Sequence, residues 1–168
     1  MSKILIVGKP HSGKTTFGSE LANLIEASKF ATSDPLIHNL AITLEIPEKD
    51  IREDKESYRG DLIALGNKLC DTDDAIIVKT CLFAHQFSGK KNFVVDGVRR
   101  NSEFNAVKHM FDRIFYIERE DHDMEDNFEL HHLKNSGARN VTVIKNKGKT
   151  TEYLLQQAKN WAETLIGN

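Results

Sequence analysis

Cysteine is scarce in this chain of 168 residues: only Cys70 and Cys81 occur. They form no metal-binding or redox motif, and two isolated thiols fit a reducing cytoplasm as small buried hydrophobes. Proline is nearly as rare, at three residues, and no Pro-, Gly- or Ser-rich linker, internal repeat or low-complexity tract marks a domain boundary. Long apolar runs are missing too. Lys3 is followed by only four apolar residues, too few for a membrane span or the core of a secretion signal, so no membrane partner and a cytoplasmic location are expected (the host cytoplasm for a viral protein). Charge of one sign is also lacking. The formal net charge of −2 provides no electrostatic footprint for a long nucleic acid, although a local basic groove stays open. Seven histidines show no ligand spacing, and the one pair, His131-His132, is adjacent and ill-suited to a single metal.

What the chain does have is size and ordinary composition. With 39% hydrophobic and 29% charged residues it can bury one domain core. An apolar run at 3–7 reads as a buried strand ending in Gly8-Lys9-Pro10-His11-Ser12-Gly13-Lys14-Thr15-Thr16. That is the G-x-x-x-x-G-K-[ST] phosphate loop, with a strand before it and an amphipathic helix, 14–27, after it. Backbone N–H groups of such a loop wrap a polyphosphate, and the helix N-terminus adds its positive end. Lys14 can neutralise the β/γ oxygens of ATP, and the Thr15 hydroxyl can ligate Mg²⁺. His11 reads as a tolerated side chain. A second Gly-Lys-Thr-Thr at 148–151 lacks the first glycine, because Val143 stands in its place; it reads as a turn into the last helix.

The rest alternates. Short strands are expected at 29–32, 92–95, 113–117 and 141–144. Helices are expected from Asp34-Pro35 to Pro47, from Tyr58 to Leu69, and at 73–87, 101–111 and 150–166. In the helix at 73–87, Ile76, Ile77, Thr80, Phe83, Ala84 and Phe87 are placed inward. Asp34 reads as the N-cap and Pro47 as the stop of its helix. Residues 48–56 are highly charged without apolar period and read as a solvated, mobile connection; residues 119–137 read as a lid. Strands alternating with helices imply an α/β fold of three layers, with a five-stranded parallel sheet covered on both faces, in a single domain spanning 1–168.

Open parallel sheets bind ligands at the carboxyl ends of their strands. Those ends carry the phosphate loop, then Ser33 and Asp34, then Asp96, Arg99 and Arg100, then Glu118 and Arg119, then Lys145, Asn146 and Lys147. Phosphoryl transfer explains such a mixture, since arginines hold phosphate bidentately and carboxylates organise Mg²⁺ or an acceptor. Asp34 reads equally as a helix cap and as a catalytic group. Asp96 reads as a Mg²⁺-side or substrate residue, and Arg99 or Arg100 as a phosphate ligand. Arg119 is either a lid arginine or an ion-pair partner of nearby acids. Arg59 stands where an acceptor would bind, or is an ordinary helix arginine.

With these residues placed, the chain resembles the deoxynucleoside monophosphate kinases of large bacteriophages, within the nucleoside monophosphate kinase group of P-loop proteins. The resemblance rests on the phosphate loop and on Phe30-Ala31-Thr32-Ser33-Asp34-Pro35-Leu36. It extends through Tyr58-Arg59-Gly60-Asp61-Leu62-Ile63-Ala64-Leu65-Gly66, through Phe93-Val94-Val95-Asp96-Gly97-Val98-Arg99-Arg100-Asn101-Ser102-Glu103, and through Val143-Ile144-Lys145-Asn146-Lys147-Gly148. It implies transfer of the ATP γ-phosphate, with Mg²⁺, to a small-molecule nucleotide acceptor bound by residues about 35–90. Lys14, Asp34, Arg99, Arg100 and Arg119 are then catalytic candidates. Ser33, Asp34, Arg59, Asp96, Arg99 and Arg100 face the acceptor, Thr15 and Asp96 the metal, and Asn146 the donor adenine. A homodimer is compatible with this reading. The chain departs from the group in its short length and in an acidic stretch at 121–132, where many lids are arginine-rich. Dephospho-coenzyme A kinase and the kinases of hydroxymethylated pyrimidines in DNA share the architecture and keep a hydroxyl acceptor, and with it nucleic acid, as the alternative. An ATP-binding switch without acceptor is the reading of another class.

Overall fold

A computed structural model describes residues 1–119 and 128–167. Five parallel strands form one sheet: β1 (Lys3–Val7), β2 (Ala27–Ala31), β3 (Asn92–Asp96), β4 (Arg113–Glu118) and β5 (Val141–Lys145), in the order β2-β3-β1-β4-β5. The central strands are runs of Ile, Leu, Val and Phe because both faces are covered, so no polar alternation survives. Seven helices connect and cover them among the described residues: α1 (Lys14–Leu24), α2 (Ser33–Leu44), α3 (Glu48–Glu53), α4 (Arg59–Cys70), α5 (Ile76–Gln86), α6 (Asn101–Val107) and α7 (Thr151–Ile166). None is long and apolar enough to cross a membrane.

Side chains of β1 divide between two cores. Ile4 and Ile6 join Phe17, Leu21, Phe115, Leu154 and Ala158 beneath α1 and α7. Leu5 and Val7 join Val78, Phe93, Phe104, Phe111 and Leu130 on the opposite face. A third cluster binds the helical region to itself, with Leu36, Ile37 and Leu40 of α2 against Ile51, Leu62 and Ile77. This three-layer α/β arrangement is the one the alternating pattern predicts.

The register matters for the site. Ile6 pairs with Asp96, and Asp96 with Ala31. The carboxyl ends of β1, β3 and β2 are therefore level, and the segments leaving them meet at one edge. Thr32 N–H donates to the Asp96 carbonyl at 2.8 Å, joining the ends of β2 and β3. Gly97 follows at φ +107, and a Cβ there would overlap the Thr32 hydroxyl, so this join requires glycine.

Several expectations need correction. Residues 48–56 are not a bare connection: Pro47 is the N-cap of α3, Glu48 and Asp50 sit in its first turn, and Ile51 is fully buried. A single apolar anchor gives no period to read, yet it fastens the helix. What stops α2 is Glu45, in the left-handed conformation at φ 54, with Pro47 already outside. Asp34 is not the N-cap of α2; Thr32 is, and Asp34 lies in the first turn. On α5 the buried face is Ile77, Val78, Cys81 and His85, whereas Thr80 and Ala84 are exposed and Phe83 and Phe87 pair with each other on the outside. This helix is apolar on two sides, and the sheet selected one of them. Of the expected lid, Phe128, Leu130 and Leu133 are buried in the core over β4, because their spacing forms an apolar face; residues 120–127 lie outside the described residues. The second Gly-Lys-Thr-Thr is a turn at Gly148 (φ 61), with Thr150 capping α7 through Tyr153 N–H.

Candidate functional site

The phosphate loop is held by backbone geometry. Gly8, His11 and Gly13 take φ values of 153°, 57° and 98°. A Cβ on Gly8 would stand 2.5 Å from the Ile117 carbonyl, and one on Gly13 2.5 Å from Leu154 Cδ1, so close packing against β4 and α7 adds to the torsional demand. Histidine is among the non-glycine residues enriched in the left-handed region, which accounts for His11. The α1 ladder begins with Phe17 N–H to the Gly13 carbonyl at 3.0 Å. The N–H groups of Thr15 and Thr16 precede it, in the first turn where helix N–H groups lack intrahelical acceptors and the dipole is positive. Three braces hold the loop. Asn146, buried, donates from Nδ2 to the Ser12 carbonyl at 2.8 Å, while its own N–H reaches the Glu118 carbonyl at 2.7 Å. Arg119 Nη1 donates to the His11 carbonyl at 3.3 Å. Lys14 Nζ donates to the Lys9 carbonyl. Among the described residues, buried Ser12 Oγ and Asn146 Oδ1 have no hydrogen-bond partner, so polar capacity is left beside the loop.

A cavity of about 390 Å³ opens from this loop into the helical region. Pro10, His11, Lys14 and Thr15 line one end. Thr32, Ser33, Asp96, Gly97 and Arg99 line the middle. Leu36, Leu62, Ile63, Gly66 and Ile77 form an apolar far end bordered by Arg59, Asn67, Arg100 and Glu103. Gly66 lets α4 approach α2 closely there, since a Cβ would stand 3.3 Å from Leu36 Cδ1.

Asp96 is buried at the end of β3, and the Lys29 ammonium lies 3.1 Å from its Oδ2, close enough for charge compensation but not aligned as a hydrogen bond. Lys29 reaches it past Gly18, where a Cβ would stand 3.2 Å from Lys29 Cε. Arg59 pairs with Glu56 at 3.2 Å. Arg100 Nη1 makes a long contact, 3.4 Å, with Asn67 Oδ1. Arg99 enters the wall from the strand end, with its N–H 3.4 Å from Glu103 Oε2 and its carbonyl accepting from Glu129 N–H at 2.8 Å. Burial raises the pKa of Glu103 above the ordinary carboxylate value.

Asp34 does not line the cavity. Its Oδ2 accepts from Ala31 N–H at 2.7 Å and its Oδ1 from Arg52 Nη1 at 2.8 Å, so the carboxylate ties the end of β2 to α3. Arg52 also reaches Glu48 at 3.2 Å, and bonding to Asp34 raises its pKa further. Lys14, Thr15, Ser33, Arg59, Asp96, Arg99 and Arg100 are thus brought to one cavity, with Arg119 and Asn146 behind the loop. Sequence reasoning missed Lys29, Lys55 and Glu103. Lys29 sits in a strand, Lys55 in a charged stretch and Glu103 in a helix first turn, and none carries a spacing signal. Burial pushes the Cys81 thiol up to about 12, leaving it inert in the core as expected.

No family model and no curated protein matches the sequence. Among solved structures, an unconfirmed kinase of Chloroflexus aurantiacus is 12% identical over 97% of this chain and 96% of its own, with a TM-score of 0.50. Shikimate kinase of Aquifex aeolicus is 15% identical over 99% of both chains, with a TM-score of 0.47. Thymidylate kinase of Candida albicans is 14% identical over 98% of this chain and 92% of its own, also at 0.47. What the chain shares with the Chloroflexus structure is the fold, a three-layer α/β arrangement with a five-stranded parallel sheet. At these identities the likeness concerns the arrangement of strands and helices and assigns no substrate.

Proposed function

We propose that this protein transfers the γ-phosphate of ATP to the phosphate of a nucleoside 5′-monophosphate, releasing ADP and the nucleoside diphosphate. One observation carries the reading: a single cavity joins Lys14 and Thr15 of the loop to Arg59, Arg99 and Arg100 and ends in an apolar slot. A switch that only holds ATP has no use for the second half of that cavity.

ATP with Mg²⁺ supplies the transferable phosphoryl group. The residues present fit both. Loop N–H groups and Lys14 suit a polyphosphate, while Thr15 and Asp96 offer the oxygen ligands Mg²⁺ takes alongside phosphate and water. Among the described residues no cluster of three His, Cys, Asp or Glu side chains gathers as a metal cage, so a cation here is one shared with phosphates. Lys14 draws charge off the β and γ oxygens. Arg99 and Arg100 balance charge on the group in flight, where fixed cations act without reorganising. Arg59 aligns the acceptor, and Leu36, Leu62 and Ile77 exclude water from its base. The resemblance to phage enzymes favours a deoxynucleotide, and the protein then works in the cytoplasm, as a monomer or homodimer. ADP release measured with a panel of nucleoside and deoxynucleoside monophosphates tests this. At least one is expected to raise the rate well above that of ATP alone. A panel without effect, together with phosphorylation of a hydroxyl in DNA or in dephospho-coenzyme A, would replace this reading with the hydroxyl-acceptor one.

A further inference from the structure

Lys55 stands between α3 and α4 at the cavity mouth, and its ammonium donates to Ser33 Oγ at 3.0 Å. Both residues line the cavity, Ser33 from the end of β2 and Lys55 from the opposite rim. Lys55 is an exposed residue, and desolvation beside the cleft lowers its pKa. A cavity-lining ammonium whose observed hydrogen bond goes to a neutral hydroxyl has charge to offer an anionic ligand. Among the described residues the nearby acids already have partners, Glu56 in Arg59, Asp34 in Arg52 and Ala31 N–H, and Asp96 in Lys29, so Asp34 and Asp96 attract Lys55 only from a distance. The rim itself is anchored, because Arg52, three residues before Lys55, ties α3 to α2 through Asp34.

We infer that Lys55, with Ser33, is a specificity-determining pair that binds the phosphate monoester of the acceptor and so selects a phosphorylated acceptor over its hydroxyl counterpart. This rests on the cavity assignment made for the kinase reading. A compact, flexible point charge suits this place: it can follow a phosphate that must move toward the loop, while Arg59 stays fixed by Glu56.

Calorimetric titration of wild type, Lys55→Met and Lys55→Arg tests it, using ATP, the four deoxynucleoside 5′-monophosphates and their four nucleosides. The tightest-binding monophosphate is expected to weaken about tenfold or more in Lys55→Met, the loss of one charged hydrogen bond. Lys55→Arg should recover most of it, and ATP and nucleoside affinities should stay within about twofold, the ATP value certifying the fold. Unchanged monophosphate affinity in Lys55→Met overturns the inference, as does failure of every monophosphate to bind wild type. Lys55-dependent binding without phosphoryl transfer sinks the kinase reading and leaves this one standing. Transfer to a monophosphate that binds independently of Lys55 does the reverse.

Discussion

Lys14 is held back across the loop onto the Lys9 carbonyl, so its charge is already poised over the space the N–H groups surround. Replacing it with alanine is expected to lower turnover by about a hundredfold or more, the scale for losing one preorganised charge donor. Circular dichroism should be unchanged. An active Lys14→Ala enzyme would place phosphate binding elsewhere. His85 carries a different test. Its Nδ1 lies 2.6 Å from Ser28 Oγ and 3.3 Å from Ser88 Oγ, and burial, aided by Lys3, holds its pKa below the ordinary 6.5. Solvent scarcely reaches the residue. Above pH 6.5 both folded and unfolded chains hold it neutral. As pH falls below that, the unfolded chain takes up a proton that the folded one resists, and stability drops until the lowered folded value is passed. Glu103, with a raised pKa, acts in the opposite sense, its contribution falling as pH rises. Thermal unfolding of wild type against His85→Gln across this range isolates the histidine. Wild type should lose more thermal stability than the variant on acidification, and equal slopes would remove His85 from the account.

At the scale of elements, α3 is the least self-sufficient piece. Six residues cannot sustain a helix alone, so Ile51 and the Arg52–Asp34–Glu48 contacts must hold it. Asp34→Asn is therefore expected to cost under about 1 kcal/mol of global stability, since the pair is partly exposed. Hydrogen exchange should still quicken at residues 48–53, with only a modest effect on turnover. Loss of turnover with unchanged exchange would return Asp34 to a catalytic role. This helix also shows what sequence can reveal. β1, β3 and β4 are legible because buried parallel strands are unbroken apolar runs. The phosphate loop is legible because its chemistry is contiguous. α3 hides because one buried isoleucine among charges has no period, and the buried face of α5 hides because two of its faces are apolar. The Lys29–Asp96 contact and the Lys55–Ser33 pair arise from tertiary structure joining separate segments, which no local pattern announces.

Across the whole molecule, a chain of net charge −2 gathers Lys14, Lys55, Arg59, Arg99 and Arg100 around one cavity, against Glu56, Asp96 and Glu103. The sheet does this. With the ends of β1, β2 and β3 level, the Gly8–Thr15 loop, the buried carboxylate and the arginine segment converge, while α2, α4 and α5 contribute apolar wall residues. A basic pocket in a chain of near-neutral net charge fits small phosphorylated ligands better than a polymer. The fate of the terminal phosphate of ATP tests this most directly. ATP labelled at the γ-phosphate is incubated with Mg²⁺, enzyme and the acceptor that most stimulates ADP release, and the products are separated. The account predicts label in the β-phosphate of the nucleoside diphosphate, in amounts equal to the ADP formed. Label found only in inorganic phosphate, or on a hydroxyl of another acceptor, would contradict it.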